Sequence, residues 1–73
     1  MLSRKAKYAI KALLYIYYHQ EQVPISVKEI SEAQNIPYKF LESIMNILKQ
    51  NRLIKSHRGP RGGYSFVVNP KDI

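Results

Sequence analysis

Cysteine and tryptophan are absent from this 73-residue chain; glycine occurs three times, proline four times and acidic residues five times. Without cysteine the chain itself offers no disulfide, no thiolate-bound zinc or iron–sulfur cluster and no cysteine nucleophile, so stability has to come from packing. A chain of this length is one domain at most, read here as residues 1–73, and it buries only about 60% of the surface its unfolded form exposes. The carboxylates are Glu21, Glu29, Glu32, Glu42 and Asp72, and the imidazoles are His19 and His57. Acid–base or nucleophilic chemistry needs two such groups to converge, and this short supply points away from an enzyme. His19 and His57 stand far apart without a third candidate ligand, so no metal site is expected. Long apolar runs are missing as well. The longest, Ala12 to Tyr18, has seven residues, against the roughly 20 that a membrane span needs. Lys7 and Lys11 interleave with apolar positions ahead of it, and no small-residue cleavage pattern follows, unlike a signal peptide. The expectation is a cytoplasmic protein with no membrane partner.

Positive charge is what the chain has in excess. Twelve Lys and Arg against five Asp and Glu give a net charge of +7 and a pI near 9.9, which points to a polyanionic partner. The charge is segregated. Arg4, Lys5, Lys7 and Lys11 open the chain, and Lys39, Lys49, Arg52, Lys55, Arg58 and Arg61 follow with only Glu42 against them. Residues 12–37 are net negative.

Ser3 is placed to cap a helix from Arg4 to about His19, in which Ala6, Ala9, Ile10, Leu13, Ile16 and Tyr17 recur at helical spacing. The second half of this helix is apolar almost all round, so a cover beyond a three-helix core is expected for Leu14, Tyr15 and Tyr18. Val23-Pro24-Ile25 reads as an extended connection. Ser26-Val27-Lys28-Glu29 is a capping box that opens a short second helix ending near Gln34 or Asn35, with Val27, Ile30 and Ala33 as its buried stripe. Asn35 suits a left-handed turn and Pro37 a first helical turn. The third helix, from Tyr38 to about Asn51, buries Phe40, Leu41, Ile44, Met45, Ile47 and Leu48 and turns Tyr38, Lys39, Glu42, Ser43, Asn46, Lys49 and Gln50 outward. The period then changes to alternation: Leu53 to His57 and Tyr64 to Val68 read as strands around the loop Arg58-Gly59-Pro60-Arg61-Gly62-Gly63. Asn69-Pro70-Lys71-Asp72 announces another helix.

The predicted fold is mainly α with a small β-hairpin, a winged helix-turn-helix of three helices plus a two-stranded wing. The two short helices joined by a tight turn have the form of a helix-turn-helix whose second helix enters a major groove, and the basic charge sits at the start of helix one, on helix three and on the wing. Arg58 and Arg61, flanking glycine and proline in a protruding loop, suit a narrow minor groove. Lys39 and Glu42 lie where side chains reach base edges. Glu42 either accepts from a cytosine amino group or is a solvated partner of Lys39 or Asn46. Tyr38 either meets DNA or packs on the turn, while Met45, Tyr15, Tyr17 and Tyr18 read as core or interface. Two other readings of the basic face are a protein-interaction module for an acidic partner and, ranked below it, an RNA-binding winged helix.

Four segments together, Ser3-Arg4-Lys5-Ala6-Lys7-Tyr8-Ala9, Ile25 to Glu32, Ile36-Pro37-Tyr38-Lys39-Phe40-Leu41-Glu42 and Arg58-Gly59-Pro60-Arg61-Gly62-Gly63-Tyr64, resemble the Rrf-two family of bacterial transcription regulators. The resemblance implies a winged helix-turn-helix that binds palindromic operator DNA as a homodimer in the bacterial cytoplasm, at the nucleoid. It implies Lys7 and Tyr8 near phosphates, Ser26 and Lys28 at the start of helix two, Lys39 and Glu42 for base reading, and Arg58 with Gly59 in the minor groove. Pro37 and Lys39 stand where family members often carry serines, so the base preference is expected to differ. Family members continue into a long dimerisation helix, and the sensing types hold an iron–sulfur cluster on cysteines there. The expectation is therefore a truncated regulator or an isolated domain, with no cofactor in this chain and a cluster only if a longer parent protein carries cysteines.

Overall fold

The computed structural model describes residues 2–67. The chain forms α1 (Arg4–Tyr18), a 3-10 turn (Gln20–Gln22), α2 (Val27–Gln34), α3 (Tyr38–Gln50) and the antiparallel strands β1 (Ile54–His57) and β2 (Gly63–Phe66). This is the expected three helices plus hairpin. Val68 and the helix start at Asn69 lie outside the described residues.

Local chemistry sets most of the boundaries. The Ser3 hydroxyl accepts from the Ala6 amide and caps α1, and the Ser26 hydroxyl accepts from the Glu29 amide and caps α2; each satisfies one of the donors a helix N-terminus leaves unpaired. The capping box is only half formed. The Glu29 carboxylate turns away from its own helix start and accepts from the Tyr15 hydroxyl at 2.7 Å. Asn35 ends α2 in the left-handed conformation at φ 54°. The Ile36 amide then returns to the Ser31 carbonyl at 3.0 Å, closing the helix as a Schellman-type turn. Pro37 stands one position earlier than expected, as the N-cap of α3, where its carbonyl accepts from Leu41. Having no amide hydrogen, it costs nothing there.

The core is built from Ala12, Ile16, Ile25, Ile30, Ile36, Leu41, Ile44, Met45, Leu48 and Ile54. On α3 the buried positions are those expected, except that Ile47 is exposed and Phe40 is half-buried. On α1 the buried stripe runs through Ala12 and Ile16, flanked by Tyr8, Ala9, Leu13 and Tyr15, while Ile10 and Tyr17 face outward. The expected stripe included Ile10 and Tyr17 and left out Ala12; the positions of α2 and α3 turn the helix so that Ala12 is buried and those two are not. Ala33 is also exposed; α2 turns Val27, Ile30, Ser31 and Gln34 toward the protein instead. Leu14 is 47% and Tyr18 is 73% exposed, as expected from the all-round apolar half of α1, whereas Tyr15 is partly covered and bonded to Glu29.

The hairpin starts one residue later than the alternation indicated, with Ile54 opposite Phe66 and His57 opposite Gly63. Ile54, Tyr64 and Phe66 pack against the core. Ile25, expected only as an extended link, pairs with Tyr64 through Ile25 N–H to the Tyr64 carbonyl at 2.9 Å and Tyr64 N–H to the Ile25 carbonyl at 2.7 Å. This adds an isolated antiparallel bridge, two residues before α2, to the hairpin at Tyr64. It also explains Gly63: a Cβ there would fall on the Ile25 backbone carbonyl. Gly59, at φ +105°, has open space around it and only its backbone conformation favours glycine. Gly63→Ala should therefore cost roughly 2–4 kcal/mol of folding stability and Gly59→Ala about 1–2 kcal/mol. Urea unfolding of both variants checks the order, and an equal cost would place the constraint in the loop conformation and not in the Ile25 contact.

Candidate nucleic-acid interface

The start of α3 is exposed to solvent. Tyr38 is its first residue and is exposed, and the Lys39 side chain is 93% exposed. The Glu42 side chain is 45% exposed, and its Oε1 lies 4.0 Å from Lys39 Nζ. At that distance and exposure the pair is held loosely, so each partner stays available to a ligand. Ser43, Asn46, Lys49 and Gln50 continue the outward face. The buried face of the same helix, Leu41, Ile44, Met45 and Leu48, holds it on the core. At its other end Asn51 Nδ2 donates to the Ile47 carbonyl, and Leu53 N–H reaches the Leu48 carbonyl. Arg52, between them, takes a left-handed φ of 60°. Glycine is the usual residue in such a position.

The other expected residues sit on three parts of the chain: α1, the start of α2 and the loop between β1 and β2. Lys7 is exposed on α1, and its neighbour Tyr8 meets the Phe40 ring edge-to-face at 5.4 Å, which ties the first half of α1 to the start of α3. Ser26 uses its hydroxyl for the α2 cap, and Lys28, the second residue of α2, is exposed. Arg58, Gly59 and Arg61 are exposed in the loop between β1 and β2. The loop closes on itself through Gly62 N–H to the Gly59 carbonyl at 2.9 Å. Among the described residues no hydrogen bond or ion pair joins the loop side chains to α3.

Two residues that sequence reasoning did not single out connect these parts. Tyr64, on β2, is close enough to feel α3: burial, then the Glu42 carboxylate and Tyr38, push its phenol above 10.0. It therefore stays neutral at physiological pH, a hydroxyl between the helix face and the wing. Its motif was visible in sequence, but nothing there places it beside Glu42. Glu29 is the other. Its hydrogen bond to Tyr15, with desolvation and its own charge adding, raises the Tyr15 phenol as well. His19 stacks on Tyr15 at 4.0 Å between centroids, with His19 Nδ1 at 2.8 Å from the Tyr15 carbonyl. This cluster fixes α2 to the end of α1 and so sets where α2 presents Lys28.

Residues 2–73 match the Rrf2 family model, described as an iron-dependent transcriptional regulator. The chain belongs to the Rrf-two (Rrf2) family. It is 38% identical over 72 residues to the HTH-type transcriptional regulator IscR of Pectobacterium atrosepticum, covering 99% of this chain and 44% of that protein. In structure it is similar to T. potens IscR, with a TM-score of 0.90 and 34% identity over 100% of this chain and 53% of that one. It is similar also to CymR, the global cysteine regulator of B. subtilis, with a TM-score of 0.91 and 29% identity over 100% of this chain and 57% of that one. The chain thus spans about half the length of the relatives it matches. It is an IscR-like, Rrf2-type winged-helix protein whose relatives are transcription regulators and not enzymes. An iron–sulfur cluster does not fit the residues here: the sequence has no cysteine, and no three His, Asp or Glu side chains converge among the described residues.

The Tyr15–Glu29 bond gives a direct test of how α2 is held. Tyr15→Phe should lose roughly 0.5–1.5 kcal/mol, the worth of one hydrogen bond. Because the folded-state pKa of Tyr15 is raised, the wild type holds that proton more tightly when folded, so its stability should fall as pH rises above about 10. This share of the alkaline loss should vanish in Tyr15→Phe, measured by urea unfolding between neutral and alkaline pH; identical pH profiles would show that the bond contributes nothing in solution.

Proposed function

We propose that residues 1–73 form a winged helix-turn-helix domain that binds double-stranded DNA sequence-specifically in a bacterial transcription regulator. The observation that carries the reading is the shared exposure of two elements: the outer face of α3 and the cationic loop after β1, tied to one frame by Ile25 and Tyr64. Residues 38–50 enter the major groove and residues 58–63 the minor groove. Lys39 and Glu42 read base edges, with Tyr38 beside them. Arg58 and Arg61 use the enhanced negative potential of a narrow minor groove, with Gly59 shaping the loop. Lys7, Tyr8, Ser26 and Lys28 lie along the phosphate backbone, where cations release counterions and a helix start favours an anion. For Ser26 that contact comes from its backbone amide, since its hydroxyl already caps α2.

Operator binding by a homodimer is supported by the family resemblance, and the exposed apolar side chains of α1 (Ile10, Leu14, Tyr17, Tyr18) offer surface for assembly. A bacterial cytoplasmic location, at the nucleoid, follows from this reading. No helix among the described residues is long and apolar enough to cross a membrane.

Selection of bound sequences from random duplexes, followed by titration at several salt concentrations, tests the function. A duplex binder shows a steep linear fall of log affinity with log salt and a sequence preference above it. Binding only to acidic proteins, or a preference for single-stranded RNA, would replace the reading with the protein-interaction or RNA-binding one. Arg58→Ala should weaken binding to the selected duplex by roughly 1–3 kcal/mol with unfolding stability nearly unchanged; equal affinity would remove the wing from the interface. Glu42→Ala should broaden the selected sequence more than it lowers affinity, because the carboxylate both discriminates between bases and repels phosphate. An unchanged selection would leave Glu42 as a solvated acid.

A further inference from the structure

His57 is the last residue of β1, directly before Arg58, and its ring does not hang free. Its Nε2 is 2.7 Å from the hydroxyl of Ser65 on β2. Ser65 is 9% exposed and is the one polar residue counted with the buried set among the described residues. The ring is thus anchored on one nitrogen to a buried hydroxyl while the residue as a whole is exposed. Nδ1 is the nitrogen left for a partner outside the chain.

A serine hydroxyl is an unusual anchor because it both donates and accepts. Against a neutral imidazole it donates to the Nε2 lone pair or accepts from Nε2–H. Against an imidazolium it accepts from Nε2–H. The hydrogen bond therefore survives both charge states; Nδ1–H is presented outward in the charged ring and in the neutral tautomer whose Nε2 accepts from Ser65, and only the charged ring adds a positive charge to that donor. An aspartate at position 65 would lock the ring charged, and an apolar residue would release it.

The charges around His57 are of one sign. On its own strand Lys55 shares the outward face, and Arg58 and Arg61 follow in the loop. Strand β2 contributes the neutral Ser65, with Tyr64 on the opposite face. Of the elements packed on the hairpin, α3 brings Glu42 and Tyr38 to Tyr64, on that opposite face. Helix α1 carries only cations, Arg4, Lys5, Lys7 and Lys11, and the 23–26 segment carries no charge. No carboxylate lies within ion-pair distance of His57 among the described residues. Phosphates placed along the wing would favour the imidazolium, since an opposite charge nearby favours the charged form.

Resting on the DNA-binding reading above, we propose that His57 is a proton-linked backbone contact: on DNA binding it takes one proton from solvent, and its Nδ1–H donates to a phosphate oxygen beside the groove that Arg58 enters. Ser65 is the positioning residue that keeps Nδ1 outward. The bound state holds the proton more tightly than the free state, so affinity rises as pH falls. The dependence lies around and above the ordinary imidazole value of about 6.5. It flattens below the free-protein value and above the bound one.

The test uses the 73-residue chain and a fluorescently labelled A/T-rich duplex, titrated by anisotropy between pH 6 and pH 8, with proton uptake measured by calorimetry in two buffers of different ionisation enthalpy. Wild type should bind about three- to tenfold more tightly at the lower pH, up to the effect of a one-unit difference between free and bound imidazole, and should take up protons. His57→Gln should flatten the profile and abolish the uptake, whereas His19→Gln should retain both. His57→Lys, charged throughout this range, should also be flat and should bind at the upper pH more tightly than His57→Gln. Ser65→Ala should reduce the low-pH gain. A flat wild-type profile, or an undiminished one in His57→Gln, overturns the role of His57 while leaving DNA binding intact. No binding by the wild type at any pH overturns the DNA-binding reading, and this contact with it.

Discussion

The reciprocal pair of backbone hydrogen bonds between Ile25 and Tyr64 is the contact on which the geometry of the candidate interface depends. A two-stranded hairpin is marginal by itself in water. Here β2 gains a second neighbour from the residue that leads into α2, and the side chains of Ile25 and Tyr64 both join the core cluster. The wing is thereby referenced to the start of α2 and, through Tyr64, to the start of α3. The close approach demands a residue without Cβ at Gly63. Gly62 is constrained from the other side, where a Cβ would lie 2.6 Å from the His57 carbonyl oxygen. The paired glycines of the loop motif thus serve close backbone packing at the root of the wing, and only Gly59 serves the conformation of its tip.

Charge follows the same division between held and exposed parts. The described residues contain one ion pair, Lys39–Glu42 at 4.0 Å, so the cations of α1, α3 and the wing are not neutralised by the protein's own carboxylates. Such a surface repels itself, and that repulsion is relieved when an external polyanion approaches. Of the five carboxylates, Glu29 is occupied by Tyr15, on the side of α2 that packs toward α1. Glu42 lies on the outer face of α3, 4.0 Å from Lys39.

The fold was legible in the sequence because its boundaries are set by local chemistry. Ser3, Ser26 and Asn35 act on backbone groups within five residues of themselves, and the alternation after Asn51 marks the hairpin without reference to the rest of the chain. What sequence missed is long-range. The diversion of Glu29 from its cap depends on a tyrosine fourteen residues earlier. The burial of Ala12 in place of the expected Ile10 and Tyr17 on α1 depends on where the other helices lie. The candidate site divides in the same way. Composition and the loop motif located Lys39, Glu42, Arg58 and Arg61, whereas Tyr64 beside Glu42 and Ser65 against His57 needed the register of the sheet.

That division has a consequence for how recognition and stability are related. On α3 the positions held by the core are Leu41, Ile44, Met45 and Leu48, and the outward positions are Tyr38, Lys39, Glu42, Ser43, Asn46, Lys49 and Gln50. The two sets share no position, because a helix turning about 100° per residue sends them to opposite sides. The outward side chains make few contacts inside the protein, so changing them alters what the surface meets with little effect on folding. The wing obeys a different rule. Its root is fixed by Ile25, Gly62 and Gly63, while the cations sit between those fixed points on a loop that closes through Gly59 and Gly62. A substitution at the root therefore moves every cation of the loop together, and one at the tip removes a single charge. The outer face of α3 is accordingly free to vary at small structural cost, whereas the placement of the wing is bound to the same backbone contacts that complete the sheet.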